Sequence, residues 1–193
     1  MRNTISLITL CLAAGSAVAG AASLHGTGTV LDLDATQTKV DFTLGDVLHT
    51  VHGSFKLKSG RIHFDPSTGE ASGAMVVDAA SGSSGSGARD HRMQKNILET
   101  EKFPEIVFTP DHFEGRLSPD GESEIDLHGM FAIHGDQHEM VMKTKVRLQG
   151  DQLIASTHFA IPYVQWGMKN PSTLFLRVND KVMIDLQVVG RLK

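Results

Sequence analysis

The sequence predicts an all-β fold, an antiparallel β-barrel with a short helix across one end, and three observations predict it. Apolar and polar residues alternate with a period of two along most of the chain after Thr29, turn-forming residues interrupt the alternation at short intervals, and one stretch near residues 88–99 changes to helical spacing. Many short strands joined by hairpins form a barrel or a sandwich. Closure into a barrel removes exposed sheet edges and is the expected solution.

The N-terminus carries a different signal. Arg2, the apolar run Ile5 to Leu12 and the small residues Ala17-Val18-Ala19 have the pattern of a secretory leader, residues 1–19, leaving 20–193 as one domain bound for the periplasm or the exterior. The apolar run is too short to span a bilayer, which takes about 20 residues. Cys11, the chain's one cysteine, lies inside this leader, so the mature protein would have no disulfide, no thiol nucleophile and no cysteine metal site. Removing Arg2 leaves 17 basic residues (18 − 1) against 22 acidic ones, a net charge of −5. That balance does not favour a nucleic-acid partner, which requires a basic face, and none is expected. No later segment is long and apolar enough for stable insertion in a membrane.

The strands follow in order. Val40, Phe42 and Leu44 alternate with Lys39, Asp41 and Thr43, and Met140, Met142, Thr144, Val146 and Leu148 with Lys143, Lys145, Arg147 and Gln149. The pattern returns at Leu153, Ala155, Phe159 and Ile161, and again at Val182, Ile184, Leu186 and Val188. One buried and one wet face per strand means antiparallel pairing, since parallel strands covered on both faces lack such alternation. Turns are expected at Asp65-Pro66-Ser67-Thr68-Gly69, Ser118-Pro119-Asp120-Gly121, Gly135-Asp136 and Gly150-Asp151.

The helical stretch places Met93, Ile97 and Leu98 on one face, and Pro104 limits its extension. About ten residues of helix are marginal alone in water, so this face must dock on the barrel. The preceding Gly82-Ser-Ser-Gly-Ser-Gly87 has the outline of a phosphate-binding loop, but Ala88 and Arg89 stand where that motif needs Lys and then Ser or Thr. A flexible connector is the expected role, with anion binding at the helix start the weaker alternative.

No metal site is expected from the histidines. A two-residue hairpin at Gly135-Asp136 pairs His134 with Gln137 and His138 with Ile133, which puts the two histidines on opposite faces. His49 and His52 are likewise split, and His63 and His158 sit on polar sides, so surface positions account for them. No HExxH pattern and no Gly-x-Ser-x-Gly elbow occurs, and no catalytic residue is assigned.

The segment "ARDHRMQKNILETEKFPEIVF", Ala88 to Phe108, resembles the Arg-Asp, apolar helix, Lys-aromatic-Pro, alternating-strand segment of the YceI-like family of exported bacterial proteins. "VDFTLGDVLHTVHGSF", "GRIHFDP", "LHGMFAIHGDQHEMVM", "WGM" and "VNDKVMIDL" match in order, from about Thr29 to Leu192. The resemblance implies a lipocalin-like barrel of about eight strands around a long apolar tunnel. It also implies a polyisoprenoid or isoprenoid-tailed quinone as ligand, no further cofactor, no catalysis, and barrels able to pair as homodimers.

The lid departs from the family pattern: the run is a residue shorter, His91 or Arg92 takes a histidine's place, and Ile97-Leu98-Glu99 replace Phe-Phe-Asp. Arg89, Asp90 and His91 are the expected polar contacts to a head group, or else the anchor of the helix on the rim. Met93, Ile97 and Leu98 are the expected apolar lid contacts. Through the family fold, Phe42, Phe55, Phe108, Phe131, Met142 and Phe159 become candidates for the tunnel wall. Phe103 and Trp166 are expected to pack at the barrel end within reach of ligand. Two further functions stay open at this level: an envelope stress or interaction protein with a packed barrel, and a small lipid-modifying enzyme using His91 or another polar group at the tunnel mouth.

Overall fold

A computed structural model describes residues 28–45, 49–118, 121–174 and 177–193. The leader, residues 1–19 with Cys11, and the tip of the Ser118–Gly121 turn at 119–120 lie outside the described residues.

The first strand is interrupted. β1 (Thr29–Leu33) and β2 (Lys39–Gly45) flank a turn in which Asp34 accepts hydrogen bonds from the Thr36 amide (2.8 Å), the Thr36 hydroxyl (2.6 Å) and Gln37 Nε2 (2.6 Å). Those donors, the Thr36 hydroxyl foremost, hold the Asp34 carboxyl down to about 2. Both strands pair antiparallel with β3 (Thr50–Phe64) and with β9 (Val182–Leu192), so they form one stave. The remaining staves are β4 (Ala71–Ser83), β5 (Glu105–Gly115), β6 (Gly121–Ile133), β7 (Asp136–Gln149) and β8 (Gln152–Ile161). Pairing runs β3-β4-β5-β6-β7-β8-β9 and returns through β1 and β2 to β3. Nine strands therefore close an antiparallel barrel of eight staves, as expected, and no stave is left with an open edge.

The turns follow their chemistry, with one shift. Asp65 accepts from the Ser67 amide and hydroxyl at 2.8 and 2.6 Å, and Gly69 takes φ 79°. Gly150 takes φ 62° at the β7–β8 turn. In the β6–β7 hairpin, however, the two turn residues are His134 and Gly135, with φ 54° and 87°, and not Gly135 and Asp136. Ile133 then stands opposite Asp136, and His138 opposite Phe131. Positive φ at both central positions matches the twist of the flanking strands, and this outweighs the reluctance of histidine to adopt it.

Between β4 and β5 lies the helical segment: α1 (Gly87–Arg92) followed by a π-helical turn (Met93–Ile97). The Leu98 amide reaches the Met93 carbonyl at 2.9 Å, five residues back, and the Gln94 side chain ties the turn to the Ala80 carbonyl of β4 at 2.8 Å. The wide turn brings Met93, Ile97 and Leu98 together over the barrel mouth, as the apolar stripe requires. Among the described residues no helix is long and apolar enough to cross a membrane.

Candidate ligand-binding site

Inward residues of the staves and the underside of the helical segment enclose an apolar cavity of about 480 Å³. Phe42, Phe55, Phe108, Phe131 and Phe159 form its wall, and Met93, Ile97 and Leu98 its roof. The rings neighbour one another in pairs: Phe42 and Phe55 at 5.4 Å, Phe131 and Phe159 at 6.3 Å. The roof lies close because Gly82 has no side chain. A Cβ there would stand 2.6 Å from Met93 Cε and 2.6 Å from Phe55 Cε1. Gly82 and Ser83 belong to β4, so this part of the glycine-rich stretch is strand and packing surface, contrary to the flexible connector expected.

Polar groups gather at the mouth. Ser84, Ser86, Arg89 and Arg92 border the cavity there, opposite Pro171 and Val178 of the β8–β9 connection. Arg89 donates from Nε to the Ser84 hydroxyl (2.7 Å) and from Nη2 to the Ser84 carbonyl (2.9 Å). Asp90 accepts from the Ser84 amide at 2.8 Å and from its hydroxyl. Arg89 and Asp90 thus anchor the helix start to the loop. Arg92 borders the cavity with no side-chain partner among the described residues, whereas Asp90 and His91 do not border it.

The far end of the lid is tied to the β6–β7 turn. Glu99, at φ 48°, pairs with Lys102 (2.6 Å) and approaches His134 Nε2 (3.7 Å); Lys102 first and His134 after it hold the Glu99 carboxyl below its ordinary range. Phe103 lies on the His134 ring at 5.0 Å and Trp166 stacks on His138 at 3.9 Å, so both pack at this rim without lining the cavity. His138 is accordingly half-buried and not a surface residue, and its Nε2 is sealed without a hydrogen-bond partner.

Met142 belongs elsewhere, to a second apolar cavity of about 120 Å³ deeper in the barrel. Met75, Phe108 and Leu186 border both spaces and form the constriction between them. Tyr163 and Met168, which follow β8, also line the upper cavity and carried no strand signal in the sequence. The Tyr163 hydroxyl donates to the Asn179 carbonyl at 2.6 Å, and burial pushes it up to about 12. It closes the β8–β9 connection and remains a neutral donor.

A closed antiparallel barrel with an apolar chamber beneath a helical lid defines a ligand-chamber barrel of lipocalin-like form. More narrowly, the chain belongs to the YceI-like family, whose domain model matches residues 31–190. It is similar in structure to BcnA of Burkholderia cenocepacia, with 17% identity, a TM-score of 0.67, and coverage of 82% of this chain and 99% of that one. It is also similar to a polyisoprenoid-binding domain from Saccharophagus degradans implicated in plant cell wall breakdown (16% identity, TM-score 0.66, 84% and 98% covered). A YCEI protein of Campylobacter jejuni is similar at 20% identity and TM-score 0.61, with 76% and 87% covered. No curated protein matches the sequence.

Proposed function

We propose that this protein is a non-catalytic carrier or reservoir for a polyisoprenoid or an isoprenoid-tailed quinone, working in the periplasm after removal of residues 1–19. The single observation that carries the proposal is the hollow upper barrel: about 480 Å³ of apolar space with polar groups confined to its mouth. Such a volume falls in the range of about 300–1,000 Å³ of small-molecule sites. Membership of the YceI-like family and the name of the similar Saccharophagus degradans domain support an isoprenoid as the occupant.

The division of labour follows from magnitudes. At about 0.8 kcal/mol per buried CH₂, each five-carbon isoprene unit contributes about 4 kcal/mol before the losses of ordering, against about 1 kcal/mol for a neutral hydrogen bond. The tail supplies affinity, and the head group meets Ser86 and Arg92 at the mouth, which set orientation and choice. Catalysis finds little support, because the exposed His91 does not line the chamber and the Tyr163 hydroxyl is engaged. The test is native mass spectrometry of protein purified from its own host, followed by organic extraction. A co-purifying prenyl lipid is expected; protein that is reproducibly empty and takes up no prenyl quinone would overturn the proposal.

A further inference from the structure

On the outer wall of the barrel, away from the lid, β5 carries a bulge at Asp111. Pro110 stands opposite Gly129, and the next paired residue is His112, opposite His128. Pro110 and Phe113 line the lower cavity from inside, so the extra residue turns His112 outward, and Glu114, two residues on, shares that face. Without the bulge His112 would point into the barrel. Bulges re-aim side chains in this way, and here the result is a cross-strand pair of imidazoles stacked at 4.1 Å between centroids and 18° between planes.

Three observations meet at this pair. One ligand atom each from His112, Glu114 and His128 lies within 4.8 Å of the other two. Asp111 Oδ1 lies 2.5 Å from His112 Nδ1, and in the neutral ring this contact favours the tautomer with Nδ1–H donating to the carboxylate and Nε2 as the electron-pair donor. His128 Nε2 is closed to solvent and has no hydrogen-bond partner, which is uncommon for a buried polar atom.

We propose that His112, Glu114 and His128 bind a divalent ion of the zinc class, with Asp111 orienting His112. Two imidazole nitrogens and one carboxylate oxygen form a donor set of the three-ligand zinc type, which leaves the fourth tetrahedral position to water. Bonds of about 2.0–2.2 Å place tetrahedral donors about 3.3–3.5 Å apart. The remaining gap is one that the exposed Glu114 side chain can close by rotation about its χ angles, with His112 kept on Asp111 and the strands fixing the backbone and Cβ directions. The site is separate from the lipid chamber and does not depend on the function proposed for it.

Zn²⁺ titrated into the untagged protein against a chromophoric chelator tests the site. One equivalent is expected to bind, with affinity reduced at least about tenfold in His128→Ala and in Glu114→Gln, and by about 10–100-fold in Asp111→Asn. His158→Ala, whose ring is held by Asp185 at 2.6 Å, should bind like the parent. Glu114 is exposed, so its variant keeps the test valid if His128→Ala fails to fold. Equal binding by the parent, His128→Ala and Glu114→Gln would overturn the site, as would binding lost equally in His158→Ala.

Discussion

The two halves of the barrel interior share one sequence rule and differ in outcome. Below the constriction at Met75, Phe108 and Leu186, inward residues of six strands meet in one cluster: Leu31, Phe64, Phe113, Ile125, Val146 and Leu153. Phe64 and Phe113 pack edge to face at 6.5 Å, and only about 120 Å³ stays open. Above it, five phenylalanines pack beside their neighbours along the wall and leave about 480 Å³ for the lid to cover. The closing devices differ as well. At the lower end Asp32 clasps Arg61 (2.5 Å) and Lys193, which joins β1 to β3 and to the C-terminus. At the upper end the closure is a π-helical turn over apolar space, held at its ends by Arg89, Asp90 and Glu99. The contrast gives the lower half the tighter packing and the upper half the larger chamber, the one the proposed function uses.

The largest expected effect breaks the lower cluster. Phe113→Ala should lower unfolding free energy by about 3–5 kcal/mol in urea titrations, because the closed cluster cannot collapse around the void. Phe159→Ala should lower it clearly less, since that half-buried ring borders the larger space of about 480 Å³, whereas the buried Phe113 borders only about 120 Å³. Equal losses would erase the distinction between the halves. Next in size, Ile161→Trp fills the upper cavity. Prenyl-quinone uptake should fall at least about tenfold, or about 1.4 kcal/mol, while stability changes by less than about 1 kcal/mol. Leu153→Trp in the lower cluster should destabilise by about 1–3 kcal/mol through overpacking. A smaller change is expected at Thr157, whose hydroxyl is sealed without a partner beside the lower cavity. Thr157→Val should raise stability by about 1 kcal/mol, because it removes an unsatisfied polar group. Its cross-strand neighbour Thr144 donates to the Met142 carbonyl at 3.0 Å, and Thr144→Val should bring no such gain.

The smallest effect concerns the Asp32 clasp. Arg61 and then Lys193 hold the Asp32 carboxyl down to about 2 from an ordinary 3.8. A depressed carboxylate contributes stability that is fully present above the unfolded value and is lost as pH falls through the folded one. Stability of the parent should therefore decline between about pH 4 and pH 2, and Asp32→Asn should flatten that part of an acid-unfolding curve. An unchanged slope in the variant would show that other groups govern the decline.

Much of this was legible in the residues. The inward sets of β2, β7, β8 and β9, the turns at Asp65–Gly69 and Gly150, and the apolar face of the lid all follow from local period and turn chemistry. The five wall phenylalanines fall on inward positions of the same alternation, and it took the family resemblance to make them candidates for a cavity wall. Three features did not follow. The β6–β7 turn shifted by one residue to His134 and Gly135, because strand twist decided between two adjacent candidates. Arg92, and not Asp90 or His91, borders the cavity, because a short α-helix running into a π-turn does not hold one regular period. The His112 and His128 pair was invisible, because the bulge that aligns them is a matter of pairing between strands.

By itself the sequence determined which side of the alternating strands is apolar, the turns at Asp65–Gly69 and Gly150 and which segment lies across the barrel, since each depends on a few neighbouring residues. Tertiary structure alone decided that one half is hollow and the other packed, that Met142 serves the lower space and Phe159 the upper, and that two distant histidines stack. Those outcomes depend on the summed volume and mutual register of eight staves, and an alternation of period two is the same whether the side chains that face inward meet one another or face a cavity.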